Sequence, residues 1–513
     1  MDDNNLSRVF SGASVIFAGV ILELGIGFAA KVLFARVATP ELYGIVIYVH
    51  TIVVFLAVIV TFGYDSGIGR YLPRYESQQE KRGLVISIMT LVIPIAALIG
   101  LTIYLFSNEL SLFIFDTVSY AITFRVLAVA IPLFVFIRLS IGGIQGMKQS
   151  VGTVAIKNVT LPVMRLLLIS GVAVLGGGLA EFAGAYVIAY GIGAVVAFYF
   201  LNRSIPLLSR KMIFSQCQIV TVSKFSAPLV LSTATQRVIS RADLLLIGYF
   251  VDSASVVGAY DVSLSLAQLL LAVIAAFGYI TMPVISELES DDNMIEIRAL
   301  YSIIAKWGVF STVPIVLLFF FFPETIISIT FGPSYLGGAF PLQILSLAFF
   351  THVVLGPSGN LLKALGKSKQ LMKATVGAGI ANVLLNIFLI PPYEMVGAAT
   401  ATLVSYVAMN VMVFYYLNQF GVPPATSNDL LTVAVPVMTF GVAYLVAILA
   451  APSNLAAMLL TVSLFASIYF VILLRYFIGD QERRLLFQLS EDYGVPVTRI
   501  DAFLQAHAKR YDP

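Results

Sequence analysis

The chain has 513 residues, 59% hydrophobic and 11% charged, with a formal net charge of +3. Soluble domains carry about 25% charged residues, so water could not solvate this surface; a soluble enzyme and a nucleic-acid-binding module are both excluded, and the small basic excess is expected in loops. A single cysteine, Cys217, leaves no intrachain disulfide.

Apolar runs recur along the whole length without strand-like alternation. Backbone N–H and C=O groups have no water partner in hydrocarbon, so each run must satisfy them within a helix of about 20 residues. In chain order the predicted spans are 13–35, 42–64, 83–106, 119–141, 159–177, 179–201, 225–250, 257–284, 300–322, 338–360, 372–391, 393–417, 430–450 and 454–478. The first run contains Glu23 and Lys31 and is too long for a signal peptide, so a retained span is expected. The fold class is therefore all-α, a polytopic membrane protein with 14 transmembrane helices.

Orientation follows from Lys and Arg. With these spans, 22 of them fall in the loops and tail on one side or, as Lys306 and Lys373 do, just inside the adjoining spans, while Arg36 alone lies in the loops on the other. By the positive-inside rule both termini are cytoplasmic, in a multi-pass protein of the plasma (cytoplasmic) membrane. Lys148 and Lys157 are counted here as loop charges. Arg125, Arg165 and Glu181 lie nearer span ends and are expected to snorkel.

The sequence also repeats. Thr61-Phe62-Gly63-Tyr64 matches Ala276-Phe277-Gly278-Tyr279, and Gly44 matches Gly258. Gly146-Met147-Lys148-Gln149 matches Gly366-Lys367-Ser368-Lys369-Gln370, and Tyr199-Phe200-Leu201-Asn202 matches Tyr415-Tyr416-Leu417-Asn418. All offsets lie between 213 and 221 residues. Six spans per copy is an even number, so the copies are parallel repeats about an axis along the membrane normal. The expected plan is an N-lobe (1–202), a cytoplasmic linker (203–222), a C-lobe (223–418), two extra helices (419–478) and a cytoplasmic tail (479–513).

Charges inside spans are costly in lipid and tend to face a cavity or a partner. Glu23 in span 1 and Arg237 in span 7 are one repeat apart and are expected to approach at equal depth. Span 7 also carries Gln236, Arg241 and Asp243, span 8 carries Asp261, Ser265 and Gln268, and spans 1 and 2 add Lys31 and His50. Helical spacing groups these into polar stripes. They predict a hydrated cavity lined by Glu23, Lys31, His50, Gln236, Arg237, Arg241, Asp243, Asp261 and Gln268. The competing reading makes Glu23–Arg237, and Arg241 with Asp243 or Asp261, purely structural pairs between helices. No nucleotide-binding loop, HExxH or CxxC is present, and His50, His352 and His507 are far apart, so no catalytic, metal or cofactor site is expected.

The first hairpin, with Ser11-Gly12-Ala13, Phe34-Ala35-Arg36-Val37 and Glu41-Leu42-Tyr43-Gly44, resembles that of the prokaryotic polysaccharide flippases. So does Phe62-Gly63-Tyr64 before Arg70-Tyr71-Leu72-Pro73. These belong to the multidrug/oligosaccharidyl-lipid/polysaccharide exporter superfamily, and the resemblance covers roughly residues 7–478. It implies a non-enzymatic transporter that carries a glycan linked to a polyprenyl phosphate or pyrophosphate among membrane lipids, as a monomer. It further implies that Arg237 and Arg241 hold the phosphate, and that the two extra spans form a groove for the lipid tail. Glu23 departs from a purely basic cavity and leaves a role in H+ or Na+ coupling open. The alternatives are a cation-coupled multidrug exporter of the same superfamily and, from another class, a membrane glycan polymerase or glycosyltransferase.

Overall fold

The structure is a computed structural model. It describes residues 3–207, 222–223, 226, 241–275, 285, 294–356, 358–421, 438–446, 449 and 454–472, apart from the side chains of 3–18, 454 and 470–472. Gln236, Arg237, the motif at 276–279 and the tail lie outside them. No strand occurs among the described residues, and nine of their helices are long and apolar enough to cross a membrane. The protein is a multi-pass helical membrane protein.

Helix α1 (Asp3–Val37) turns through residues 38–39 into α2 (Pro40–Thr61). Thr39 caps α2 by accepting the Leu42 N–H at 3.2 Å, and Pro40 fits the first turn, where no N–H is needed. After a short helix (Tyr64–Tyr71), α3 (Gln78–Leu105) starts at the Ser77 cap. There the Glu80 N–H donates to Ser77 Oγ at 3.1 Å, and that hydroxyl donates back to the Glu80 carboxylate at 3.0 Å. Helices α4 (Ala121–Gly146), α5 (Ser150–Leu175) and α6 (Leu179–Ser204) complete the first lobe. Helix α5 begins nine residues before the expected span and contains a π-helical turn, Ala155–Thr160. Lys157 is thus a helical residue rather than a loop charge.

The second lobe opens, where described, with α7 (241–250) and α8 (Ala254–Ala275). Helices α9 (Met294–Phe321) and α10 (Ala339–Val354) follow. Helix α11 (Ser368–Gln419) has 52 residues. At 1.5 Å per residue it would reach about 78 Å, more than twice the hydrocarbon thickness. Pro391 and Pro392 remove two backbone donors, and Glu394 breaks the helix at φ 49° and ψ −126°. The sequence expectation of two spans on either side of residue 392 meets this break. Helices α12 (438–446) and α13 (Asn454–Ile472) pack on α9 and on each other: Phe321 meets Tyr444 at 4.6 Å, the Tyr469 hydroxyl donates to the Phe310 oxygen at 2.9 Å, and Phe440 meets Phe465 at 5.2 Å.

The lobes meet most extensively between α2 and α8. A Cβ on Gly44 would overlap the Ala254 carbonyl oxygen, and one on Gly258 would lie 2.6 Å from the Pro40 oxygen. The contact is reciprocal: both Gly44 to Gly258 and Pro40 to Ala254 are 214 residues apart. Only glycine lets the two backbones approach this closely. The connections that follow α3 and α9 also match, each containing a short helix, Ser107–Phe115 and Pro323–Thr330.

Candidate functional site: a charge network between the lobes

Three helices place one carboxylate and two cations together. Asp261 on α8 is fully buried, and its oxygens take donors from both lobes. Lys31 Nζ on α1 donates to Oδ2 at 2.9 Å and Oδ1 at 3.2 Å, and also to Ser265 Oγ at 2.7 Å. Arg241 Nη1 on α7 donates to Oδ1 at 2.8 Å, and the Tyr43 hydroxyl on α2 donates to Oδ2 at 2.7 Å. The Lys31 and Arg241 side chains keep 26% and 29% of their surface accessible. Two cations share one carboxylate, so the cluster keeps a net positive charge. An unpaired buried carboxylate would be very unfavourable, and this one is saturated by charge-assisted bonds.

Position along the helices differs from expectation. Lys31 is six residues from the end of α1 and Asp261 seven from the start of α8, about 10 Å from the α1–α2 turn. The network thus lies on the turn side of the midplane, about a third of the way along α8. An aromatic layer closes it on that side. Tyr43 meets Phe34 at 5.1 Å and Tyr335 at 5.8 Å, Phe34 stacks on Phe182 at 4.6 Å, and the Tyr335 hydroxyl donates to the Ala35 oxygen at 3.0 Å. Beyond it, Arg36 Nε donates to the Thr330 oxygen at 2.7 Å and its Nη2 to Ile329, joining the lobes at a helix C-terminus that favours a cation. At the basic end the Tyr64 hydroxyl contacts Ser223 Oγ at 2.7 Å.

Glu23 lies elsewhere. Its Oε2 accepts Asn158 Nδ2 at 2.6 Å and sits 3.7 Å from Lys157 Nζ, both on the π-helical turn of α5. Its described partners are therefore in its own lobe, while Arg237 is outside the described residues. The stripe that put Glu23 and Lys31 on one face thus splits between two neighbours. Arg241 chooses Asp261, not Asp243, as its ion-pair partner.

Asp243 enters a separate C-lobe network. Its Oδ2 accepts the Tyr260 hydroxyl at 2.5 Å and Thr402 Oγ1 at 3.3 Å, and its Oδ1 accepts the Leu244 N–H at 3.1 Å. Asn382 Nδ2 donates to Thr402 at 3.3 Å, and Asn386 Nδ2 donates to Asn382 Oδ1 at 3.0 Å. Asn386 Oδ1 is buried with no partner, and no cation pairs with Asp243 within 4.0 Å among the described residues. Gln268 is half-buried, one turn beyond Ser265.

His50 joins a group that includes a residue the sequence reading placed at a span end. Its Nε2 lies 2.8 Å from the Tyr190 hydroxyl, which also accepts Arg165 Nη2 at 2.8 Å. Arg165 is ten residues from the end of α5, about 15 Å into the helix, and turns inward instead of snorkelling. Arg125 does stay near its helix start, donating to Ser107 at 2.8 Å and Asn108 at 2.9 Å, and Glu181 accepts the Gly178 N–H at 2.8 Å to cap α6. His352 meets Asn410 at 3.1 Å in a helix interface. The ion pair of Arg138 with Asp65 was not anticipated; its spacing of 73 residues offers no local signal. Among the described residues no cluster of three or more His, Cys, Asp or Glu could hold a metal.

Two lobes of helices meeting at a charged seam give this multi-pass membrane protein the fold of solved flippase and multidrug-transporter structures. The lipid II flippase MurJ in its inward closed conformation superposes with a TM-score of 0.72 at 16% identity, covering 91% of this chain and all (100%) of that one. An inward-facing multidrug-resistance MATE family transporter of the MOP superfamily gives 0.61 at 14% identity, covering 78% and 98%. The chain belongs to the polysaccharide biosynthesis protein family, whose profile matches residues 9–289. It is similar to a probable low-salt glycan biosynthesis flippase, Agl15 of Haloferax volcanii, at 25% identity over 409 residues, 79% of this chain and 82% of the relative. An uncharacterized membrane protein of Methanocaldococcus jannaschii is 23% identical over 445 residues, 80% and 84% of the two chains.

Proposed function

We propose that this protein is a flippase that moves a lipid-linked oligosaccharide from the cytoplasmic to the outer leaflet by alternating access, for assembly of a surface polysaccharide or glycoprotein. It acts as a transporter, not an enzyme. The observation that carries the reading is the inter-lobe network, in which Lys31 and Arg241 share Asp261 with a net positive charge and both side chains stay partly accessible. Such a network attracts a phosphate, and it ties the lobes at one end only as long as Asp261 holds both cations. Alternating access then consists of breaking this tie as the other end closes. The reciprocal Gly44–Gly258 contact supports lobes of six spans each about a pseudo-twofold axis, with two more spans making fourteen. The positive-inside pattern supports cytoplasmic termini in the plasma membrane, which makes the turn end the outer one. Helices α12 and α13, docked on α9, supply a flank along which a polyprenyl tail could run.

The coupling ion, H+ or Na+, fits the Asp243 network better than Glu23. Asp243 is buried with no paired cation among the described residues; Tyr260 and Thr402 bond it, and Thr402 leads on through Asn382 to Asn386, a chain rich in hard oxygen ligands. A deletion strain tests the main reading: lipid-linked glycan should accumulate at the cytoplasmic leaflet and surface glycans should be lost. Intact surface glycosylation, in a strain with no second transporter, sinks it; drug sensitivity with normal glycans favours the multidrug exporter instead.

A further inference from the structure

Three cations and one carboxylate act together on His50: Arg165, Arg241, Lys31 and Asp261. Their charges are unevenly spent. Lys31 and Arg241 both donate to Asp261, whose oxygens also hold Tyr43. Arg165 has no carboxylate within 4.0 Å among the described residues. Its Nε is buried and has no hydrogen-bond partner among the described residues. The guanidinium lies over the faces of Tyr186 at 5.5 Å and Tyr190 at 5.0 Å, and Nη2 donates to the Tyr190 hydroxyl. Tyr190 is itself fixed by His50 and by the edge of Phe134 at 5.4 Å. A guanidinium held between two rings, with donors unused, is a pre-set fork for an oxyanion. A buried donor left without a partner is otherwise rare in folded proteins.

We infer that Arg165, oriented by Tyr186, Tyr190 and His50, is the anchor for the carrier phosphate, in an N-lobe subsite distinct from the Lys31–Asp261–Arg241 tie. The inference rests on the flippase reading and assigns its phosphate to one lobe. The division of labour follows from the charges. Arg165 can accept a phosphate without breaking any ion pair, whereas Lys31 and Arg241 can do so only by releasing Asp261. Phosphate therefore docks on the N-lobe first, and the inter-lobe tie is a second step.

The test uses the purified full-length chain in nanodiscs. The probes are a C55 polyprenyl phosphate and the uncharged C55 polyprenol, with phosphatidylglycerol as competitor and native mass spectrometry as readout. The wild type should prefer the phosphate. Arg165→Gln should weaken phosphate binding at least tenfold, the loss expected of a charge-assisted bond, and leave polyprenol binding unchanged. Arg165→Lys should recover part of the preference, since it restores charge without the fork, and it replaces Arg165→Gln as the test variant if that protein melts early. Arg125→Gln, which removes an equal charge at the turn end, should leave the preference intact. Preference that survives Arg165→Gln, or that disappears with Lys31→Met instead, overturns the assignment and puts the phosphate on the tie. Equal competition by phosphatidylglycerol overturns the carrier assignment in favour of a general lipid-phosphate site. A wild type that does not distinguish phosphate from polyprenol removes the flippase reading and this inference together.

Discussion

Gly44 and Gly258 lie against each other where α2 crosses α8, each facing the carbonyl that starts or precedes the other's helix. The two positions are 214 residues apart, and the contact maps onto itself when the lobes are exchanged. A side chain at either one forces the backbones apart. Gly44→Val and Gly258→Val should each lower stability by about 1–3 kcal/mol, the usual effect of overpacking. The double variant should lose less than the sum, because both relieve the same contact. Thermal melting in detergent measures this. A silent Gly44→Val would mean that the helices do not cross so closely.

Asp261→Asn leaves Lys31 and Arg241 facing each other without their shared anion. Breaking a fully buried pair costs about 3–5 kcal/mol. Here the cations keep 26% and 29% of their surface accessible, so a smaller loss is expected. Adding Lys31→Met to Asp261→Asn should recover part of it. The tie between lobes should also weaken, so a cysteine replacing Tyr335 becomes labelled faster by a membrane-impermeant reagent, in a Cys217→Ser background. Unchanged labelling would show that the aromatic layer closes this end unaided.

Asp243→Asn tests the coupling proposal. The amide preserves size, and the buried network of Tyr260 and Thr402 can rearrange around it. Flipping in proteoliposomes should lose its response to an imposed Na+ or proton gradient, while the protein's melting temperature changes little. If the gradient response persists in Asp243→Asn and vanishes in Glu23→Gln, the coupling carboxylate is Glu23.

Glu23→Ala strands Asn158 Nδ2, now bonded at 2.6 Å, beside the π-helical turn of α5. Loss of this bond should cost about 1 kcal/mol, and Glu23→Gln, which can still accept it, should restore most of that. Chemical denaturation in mixed micelles would measure both. Equal losses for the two variants would point to the charge with Lys157, not the hydrogen bond, as the stabilising contact.

The membrane-spanning helical class was legible in the sequence because it depends on composition. A run of about 20 apolar residues in hydrocarbon has one way to satisfy its backbone, and Pro391-Pro392 marks the break in α11 without any tertiary information. Lys31, Arg241 and Asp261 were legible as residues in need of a partner for a similar reason: a charge in a span is too costly to lack a task or a partner. Which partner each one takes was not. Helical spacing puts Glu23 and Lys31 on one stripe, yet Glu23 turns to Asn158 within its lobe and Lys31 to Asp261 across the seam. Arg165 shows the same limit. Its place in the sequence is compatible with snorkelling, and only the neighbouring face of α6, with Tyr186 and Tyr190, draws it inward.

The sequence by itself thus determined that the chain folds in lipid as helices, where its costly charges lie, and that Gly44 and Gly258 are equivalent. Those are properties of short stretches and of one repeated offset. Only the tertiary structure decided the pairing of the charges, the closeness of the two glycines and the depth of the network. Each depends on how helices far apart in sequence are rotated and shifted against one another, and packing between the two lobes sets that rotation.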